Sequence, residues 1–251
     1  MKHTILKRML LLLLALCMLL SLVGCAAVRH ILHKGEEADT SVDGTEVPEP
    51  ESVPATTQVT TLVLVDPADE EAVAGLTETQ RMILTEILSQ LKTELENRLG
   101  EFGIDLDIDE KTCEVSLPTS ILFPADSAEL SQEGRDFLTT YVTIYNQVVL
   151  ESEYNRYVAY VYIEGHTAPL ADSTYESGLP LSRDRANAVR DFILSEDAGT
   201  GAAQAEILGK MLIAEGCSNS RPVKKADGSV DLAASRRVTF RVLFWIPSDA
   251  G

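Results

Sequence analysis

Toward the C-terminus, Val238, Phe240, Val242, Phe244 and Ile246 alternate with Arg237, Thr239, Arg241, Leu243 and Trp245. Side chains on a strand point to opposite faces with period two, so this pattern predicts a long closing strand with one face in a core. Earlier, the run YVAYVYI at 157–163 is apolar on both faces, as a buried central strand should be. Between them Ala186, Val189 and Ile193 recur at helical spacing and predict a helix packed on the sheet. Strands joined by helices of this kind demand an α/β fold.

Upstream, Thr77 and Gln80 form a capping-box pattern, and Leu84, Leu88, Leu91, Leu95 and Leu99 follow on one helical face. A helix over about 78–99 is expected, closed by Gly100. Its leucine stripe reads as packing on the domain's own core; a self-associating seam, giving a homodimer, is the alternative. Ile104, Leu106 and Ile108, then Cys113, Val115 and Leu117, alternate with polar residues and predict a hairpin. A turn-rich junction leads to a helix over about 131–150. A short helix near 203–209 and a strand near 211–214 precede the closing strand. The run TLVLV at 61–65 reads equally as a strand or a docking segment.

The N-terminus reads as a secretory signal over 1–24: basic Lys2, Lys7 and Arg8, then an apolar run ending at Leu22-Val23-Gly24-Cys25. That tetrapeptide resembles a bacterial lipobox, which implies cleavage before Cys25 and lipidation of its thiol. A retained membrane span is the alternative, since about 20 apolar residues suffice to cross a bilayer. Residues 25–61 are acidic and Pro-containing with almost no large apolar groups, so they read as a disordered tether. The segment 62–110 then supplies a helix and first hairpin strand, and 111–247 the main domain. The net charge of −18 becomes more negative once the basic signal is removed, which argues against nucleic-acid partners. The expected location is extracytoplasmic, anchored to a membrane through Cys25.

Cys113 and Cys217 remain in the head, and whether they form a disulfide is left open by the sequence. No cofactor signature or metal set is read. His30 and His33 are one turn apart but stand beside Arg29 and Lys34, a poor setting for a cation.

The stretch IEGHTAPLADSTYESGLPLSRDRANAV at 163–189 is the candidate site. Ser182 reads as an N-cap, which puts Arg183, Asp184 and Arg185 in a first turn whose dipole disfavours cations. An arginine there wants an anionic partner, and a carboxylate-binding pocket is one way to supply it. An internal Glu or Asp is the plainer way.

Four motifs now align in order: ILFPADSAELSQEG (121–134), IEGHT (163–167), LSRDRANAV (181–189) and SRRVTF (235–240). Together they resemble the OmpA-like domain of peptidoglycan-associated lipoproteins and of the C-terminal part of MotB-type stator proteins. The resemblance implies a βαβαβ mixed sheet with helices on one side, preceded here by the helix and hairpin. It also implies non-covalent binding of the peptidoglycan stem peptide, with Arg185 meeting a diaminopimelate carboxylate. Thr167 and His166 would stand at the strand end, and Arg236 and Arg237 at the rim. The family's aspartate after GHT is Ala168 here, and two family asparagines are replaced by Gly178 and Ser235. Asp172, Glu176 or Asp184 are the candidates to supply the lost charge.

The resulting expectation is a non-catalytic envelope lipoprotein that binds peptidoglycan. A stator component is the alternative, although the acidic residue expected in a stator's membrane helix is absent from 9–28. A domain that kept the fold and lost the ligand is another. An enzyme built on His166 with Asp172, Glu176 or Ser173 lacks a recognisable nucleophile and base.

Overall fold

The computed structural model describes residues 61–248. The signal, Cys25, His30, His33 and nearly all of the tether lie outside them. The described residues fall within one compact unit, Thr57–Gly251.

The closing strand is the spine of the sheet. β6 (Arg237–Pro247) pairs antiparallel with β4 (Val158–His166) on one side. On its other side it pairs antiparallel with β3 (Val115–Pro118) and, further along, with β1 (Leu62–Val65). The undecided TLVLV run is therefore a strand. β2 (Asp107–Ile108) extends the sheet beyond β3, and β5 (Leu212–Ser218) runs parallel to β4, giving the order β2-β3-β6-β4-β5. A mixed α/β sheet is what the alternation and the motif order called for.

Seven α-helices are described: α1 (Glu70–Ala74), α2 (Glu78–Glu101), α3 (Thr119–Leu122), α4 (Gln132–Tyr145), α5 (Tyr175–Ile193), α6 (Ala202–Met211) and α7 (Leu232–Ser235). The Thr77–Gln80 capping box forms, and Leu84, Leu88, Leu91, Leu95 and Leu99 of α2 are all buried in the domain's own core. The stripe is thus used within the chain, which removes it as a dimer seam. Gly100 does not end α2; the reversal comes at Gly103, in the left-handed region at φ 70°, whose N–H reaches the Gly100 carbonyl. α4 starts at the Ser131 cap and continues as a π turn over Asn146–Leu150. Its Tyr141 and Tyr145 rings pack on Phe240 at 5.0 and 5.3 Å between centroids, joining helix and spine. No helix among the described residues is long and apolar enough to cross a membrane.

The largest departure from the sequence reading is at α5. Its N-cap is Thr174, in a capping box with Ser177, and not Ser182. Arg183 and Arg185 therefore sit well inside the helix, past Pro180, and the first-turn dipole argument does not apply to them. Pro180 is tolerated because it is exposed, leaving the Glu176 carbonyl without its helical donor on the solvent side. Ser182 is fully buried; its hydroxyl donates to the Leu179 carbonyl at 2.9 Å and accepts from the Ser218 N–H at 3.1 Å.

Two paired glycines seat this helix. Gly165 of β4 lies opposite Gly216 of β5. A Cβ on Gly165 would stand 1.9 Å from the Ser182 carbonyl oxygen, and one on Gly216 would stand 2.7 Å from the Arg183 backbone nitrogen. Helix backbone thus rests directly on strand backbone, and neither can yield as a flexible side chain would. Gly165→Ala should lower the unfolding free energy by at least ~1–3 kcal/mol, the usual cost of overpacking. Gly209→Ala in α6, where an added Cβ meets nothing within 4 Å, should raise it by ~0.5–1 kcal/mol in the same urea titration.

Candidate functional site

A cavity of about 720 Å³ opens where three segments meet: the Phe123–Asp126 turn after α3, the loop after β4, and the first half of α5. Arg185 and Arg236 line it together with Thr167 and Ala168, while Phe123, Leu170 and Leu181 give it apolar wall.

Arg185 is the best-fixed polar group in it. The residue is 5% exposed, its Nε donates to the Ser127 carbonyl at 2.8 Å, and its guanidinium lies 5.3 Å from the Phe123 ring centre. It forms no ion pair with a carboxylate of the described residues. Burial lowers its pKa from the ordinary arginine value, Asp126 opposes that shift and Arg236 adds to it. A guanidinium held by its Nε and by an aromatic face keeps its two terminal nitrogens for a planar, bidentate acceptor.

Of the residues expected from the sequence, Arg185, Thr167 and Arg236 come together here. The others do not. Asp172 is exposed in the loop and does not line the cavity, and neither do Glu176 or Asp184, whose carboxylate lies 3.9 Å from Arg183. The carboxylate that does line it is Asp126, in the left-handed region at φ 54°. It stands inside the ILFPADSAEL motif, where only its turn geometry would have singled it out. Gly178 lets α5 approach: a Cβ there would be 2.6 Å from the Thr167 hydroxyl. Ser235 is fully buried, its hydroxyl donating to the Asp231 carbonyl at 2.6 Å and accepting from the Val223 N–H at 3.0 Å. It is a structural clamp.

His166 and Arg237 belong to the opposite face of the sheet, because strand residues alternate and Thr167 takes the pocket side. There Glu164, 2% exposed, is held by Arg241 through Nε at 3.1 Å and a second, shorter bond, and also by Arg221. Arg241 pairs as well with Asp66 and lies 4.8 Å from the Tyr162 ring centre. Arg237 donates to the Arg221 carbonyl at 3.2 Å. Burial, with help from Arg237 and Arg241, pushes the His166 pKa down to about 3, so its ring is neutral. The catalytic grouping of His166 with Asp172, Glu176 or Ser173 does not assemble; Ser173 is occupied with the backbone of Leu170.

Among the described residues Cys113 and Cys217 are unpaired. Cys113 adjoins β3 and Cys217 lies on β5, three strand spacings or about 14 Å across the sheet, against a disulfide Cα separation of at most ~7 Å. Burial raises the Cys113 thiol to about 12 and the Cys217 thiol to about 11.

In the order of its motifs and in its mixed sheet the described domain resembles OmpA-like domains. No protein-family model matches the chain. Zorya protein ZorB of Escherichia coli is 30% identical over 146 residues, covering 55% of this chain and 60% of that protein. The chain thus spans somewhat less than two thirds of that curated relative. Among solved structures it is similar to a putative MotB-like protein from Desulfovibrio vulgaris, at 22% identity and a TM-score of 0.47, over 69% of this chain and 100% of that one. It is also similar to the cell wall anchor of the T6SS from Pseudomonas aeruginosa, at 22% identity and a TM-score of 0.40, over 63% and 98%.

The ionic cluster behind the sheet yields a stability test. Arg241→Met leaves Glu164 buried with Arg221 as its one remaining cationic partner among the described residues and should cost ~3–5 kcal/mol in urea unfolding. Arg221→Ala, whose side chain is 39% exposed, should cost no more than ~1 kcal/mol.

Proposed function

We propose that this domain is a non-catalytic cell-wall binding module whose pocket receives a carboxylate of the peptidoglycan stem peptide on Arg185. The observation that carries the reading is the buried guanidinium itself. It faces a cavity large enough for a small peptide, it is oriented from behind, and no carboxylate of the described residues forms an ion pair with it, Asp126 acting only at longer range. Burying an arginine unpaired is unfavourable, so a site that keeps one is organised for an anion arriving from outside. Thr167 and Arg236 stand beside it to share further ligand oxygens. The apolar wall suits the methyl groups and methylenes of such a peptide.

On this reading the lipid carried by Cys25 and the acidic tether hold the head within reach of the wall, and the protein performs no reaction. The chain's acidity repels anionic surfaces at large, so the two pocket arginines give a local attraction where the ligand enters. Ala168 is the weak point: the ligand's ammonium must turn to Asp126 or remain in solvent. A domain that kept this fold without the ligand is the second reading, and the replacement at Ala168 is the observation in its favour.

Substitutions at two positions separate these readings. In sedimentation with purified sacculi, the full chain in detergent should be retained, and Arg185→Ala should lose at least ~30-fold in affinity, corresponding to ~2 kcal/mol or more for truncating a buried charged contact. Arg185→Lys should recover little of it, since an ammonium cannot make the planar two-point bond. Equal retention of wild type and Arg185→Ala, both with unchanged melting, would remove Arg185 from the mechanism. Ala168→Asp should tighten binding about tenfold to sacculi carrying a diamino acid, by offering its ammonium a partner worth ~1.4 kcal/mol; an unchanged affinity would place that ammonium elsewhere.

A further inference from the structure

On the face of the sheet away from the pocket, β4 and β5 bring together three side chains that the sequence keeps apart. The parallel register pairs Glu164 with Glu215 and Gly165 with Gly216, then shifts so that His166 lies opposite Ser218. Cys217 is the extra residue at that step, and such bulges re-aim side chains. The ligating atoms of Glu164, His166 and Cys217 all lie within 4.8 Å of one another, and Glu164 Oε2 is 3.7 Å from His166 Nε2. Around a tetrahedral Zn²⁺, bonds of ~2.0–2.3 Å set neighbouring ligand atoms ~3.3–3.7 Å apart. The cluster needs only side-chain contraction to reach that size.

A second observation points the same way. His166 is 1% exposed, its Nδ1 has no hydrogen-bond partner among the described residues, and its Nε2 lies 3.5 Å from both Arg221 and the Thr239 hydroxyl, too long for sound bonds. The imidazole is buried with only long contacts at Nε2, the nitrogen 3.7 Å from Glu164 Oε2, and a cation there would give that nitrogen a firm partner. Charge allows it. Asp66, Glu114, Glu164 and Glu215 surround the site against Arg221, Arg237 and Arg241, and Arg221 is the one of these arginines free to leave, its side chain 39% exposed on the loop after β5.

We propose that Glu164, His166 and Cys217 form a three-ligand site for a thiophilic divalent cation of the Zn²⁺ kind, filled by exchange with the Arg221 guanidinium. Glu164 keeps Arg241 on Oε1 and turns Oε2 from Arg221 to the metal. The Cys217 S–H bond breaks as the S–metal bond forms, and its proton passes to solvent. Sulfur, imidazole and carboxylate together suit zinc-like ions over magnesium or calcium. Such an ion would tie β4 to β5 beside the Thr167 end of the pocket.

Co²⁺ is the probe, added to the full chain in detergent. A sulfur-to-cobalt charge-transfer absorption should saturate at one equivalent and vanish when Zn²⁺ is added. It should be lost in Cys217→Ser and kept in Cys113→Ala. Arg221→Ala should raise the Co²⁺ affinity at least tenfold, an effect a purely structural arginine would not have. Absence of the band in the wild type, its persistence in Cys217→Ser, or an Arg221→Ala affinity that is equal or weaker would each overturn the site.

Discussion

The contact of α5 with the Gly165–Gly216 pair is the constraint on which the rest of the structure depends. Because backbone lies on backbone there, the helix has one seat and cannot slide by a fraction of a turn to find another. That seat fixes Ser182 over the end of β5, sends Arg185 toward the Phe123–Ser127 turn, and leaves Gly178 open against Thr167. The pocket is therefore assembled from three separate segments by a packing contact that touches no ligand. Arg185 is then locked by Ser127 and Phe123 before anything binds, which limits the ordering cost of recognition.

The sheet's two faces divide the labour. One face carries Val238, Phe240, Val242, Phe244 and Ile246 into the core with the aromatic rings of α4. The other carries Glu164, His166, Thr239 and Arg241, all buried, so the polar members of the alternating pattern do not point to water as expected but to one another. Pairing makes that burial tolerable: Glu164 is shared by Arg221 and Arg241, and Arg241 by Glu164 and Asp66. Asp66 follows β1 and Arg221 lies after β5, so this cluster also ties the first strand and a late loop to the middle of the sheet.

Those features also mark how far the sequence could be read. Period-two alternation made β6 and β4 legible, and the capping box and leucine stripe made α2 legible, because each is a local pattern matched to a local geometry. The start of α5 was misread because Ser182 stands before an obvious helix while the true box, Thr174 with Ser177, uses a serine where glutamate or glutamine is usual. Arg185 is singled out twice in the sequence, by the LSRDRANAV motif and by a supposed first-turn position, and only the second fails, because the helix starts at Thr174. Asp126 is hidden because its role depends on a left-handed turn that brings it to the pocket, and the Glu164, His166, Cys217 grouping because it depends on which strands become neighbours, which no spacing along the chain encodes.

In the proposed complex Arg185 offers its terminal nitrogens to a carboxylate of the wall peptide. A crystal structure of the protein with a soluble stem-peptide fragment tests it most directly. The expected result is a ligand carboxylate bound in two-point fashion to Arg185, with the Nε–Ser127 bond and the Phe123 stack unchanged. A ligand seated elsewhere, or Arg185 turned to pair with Asp126 while the pocket stays empty, would contradict it.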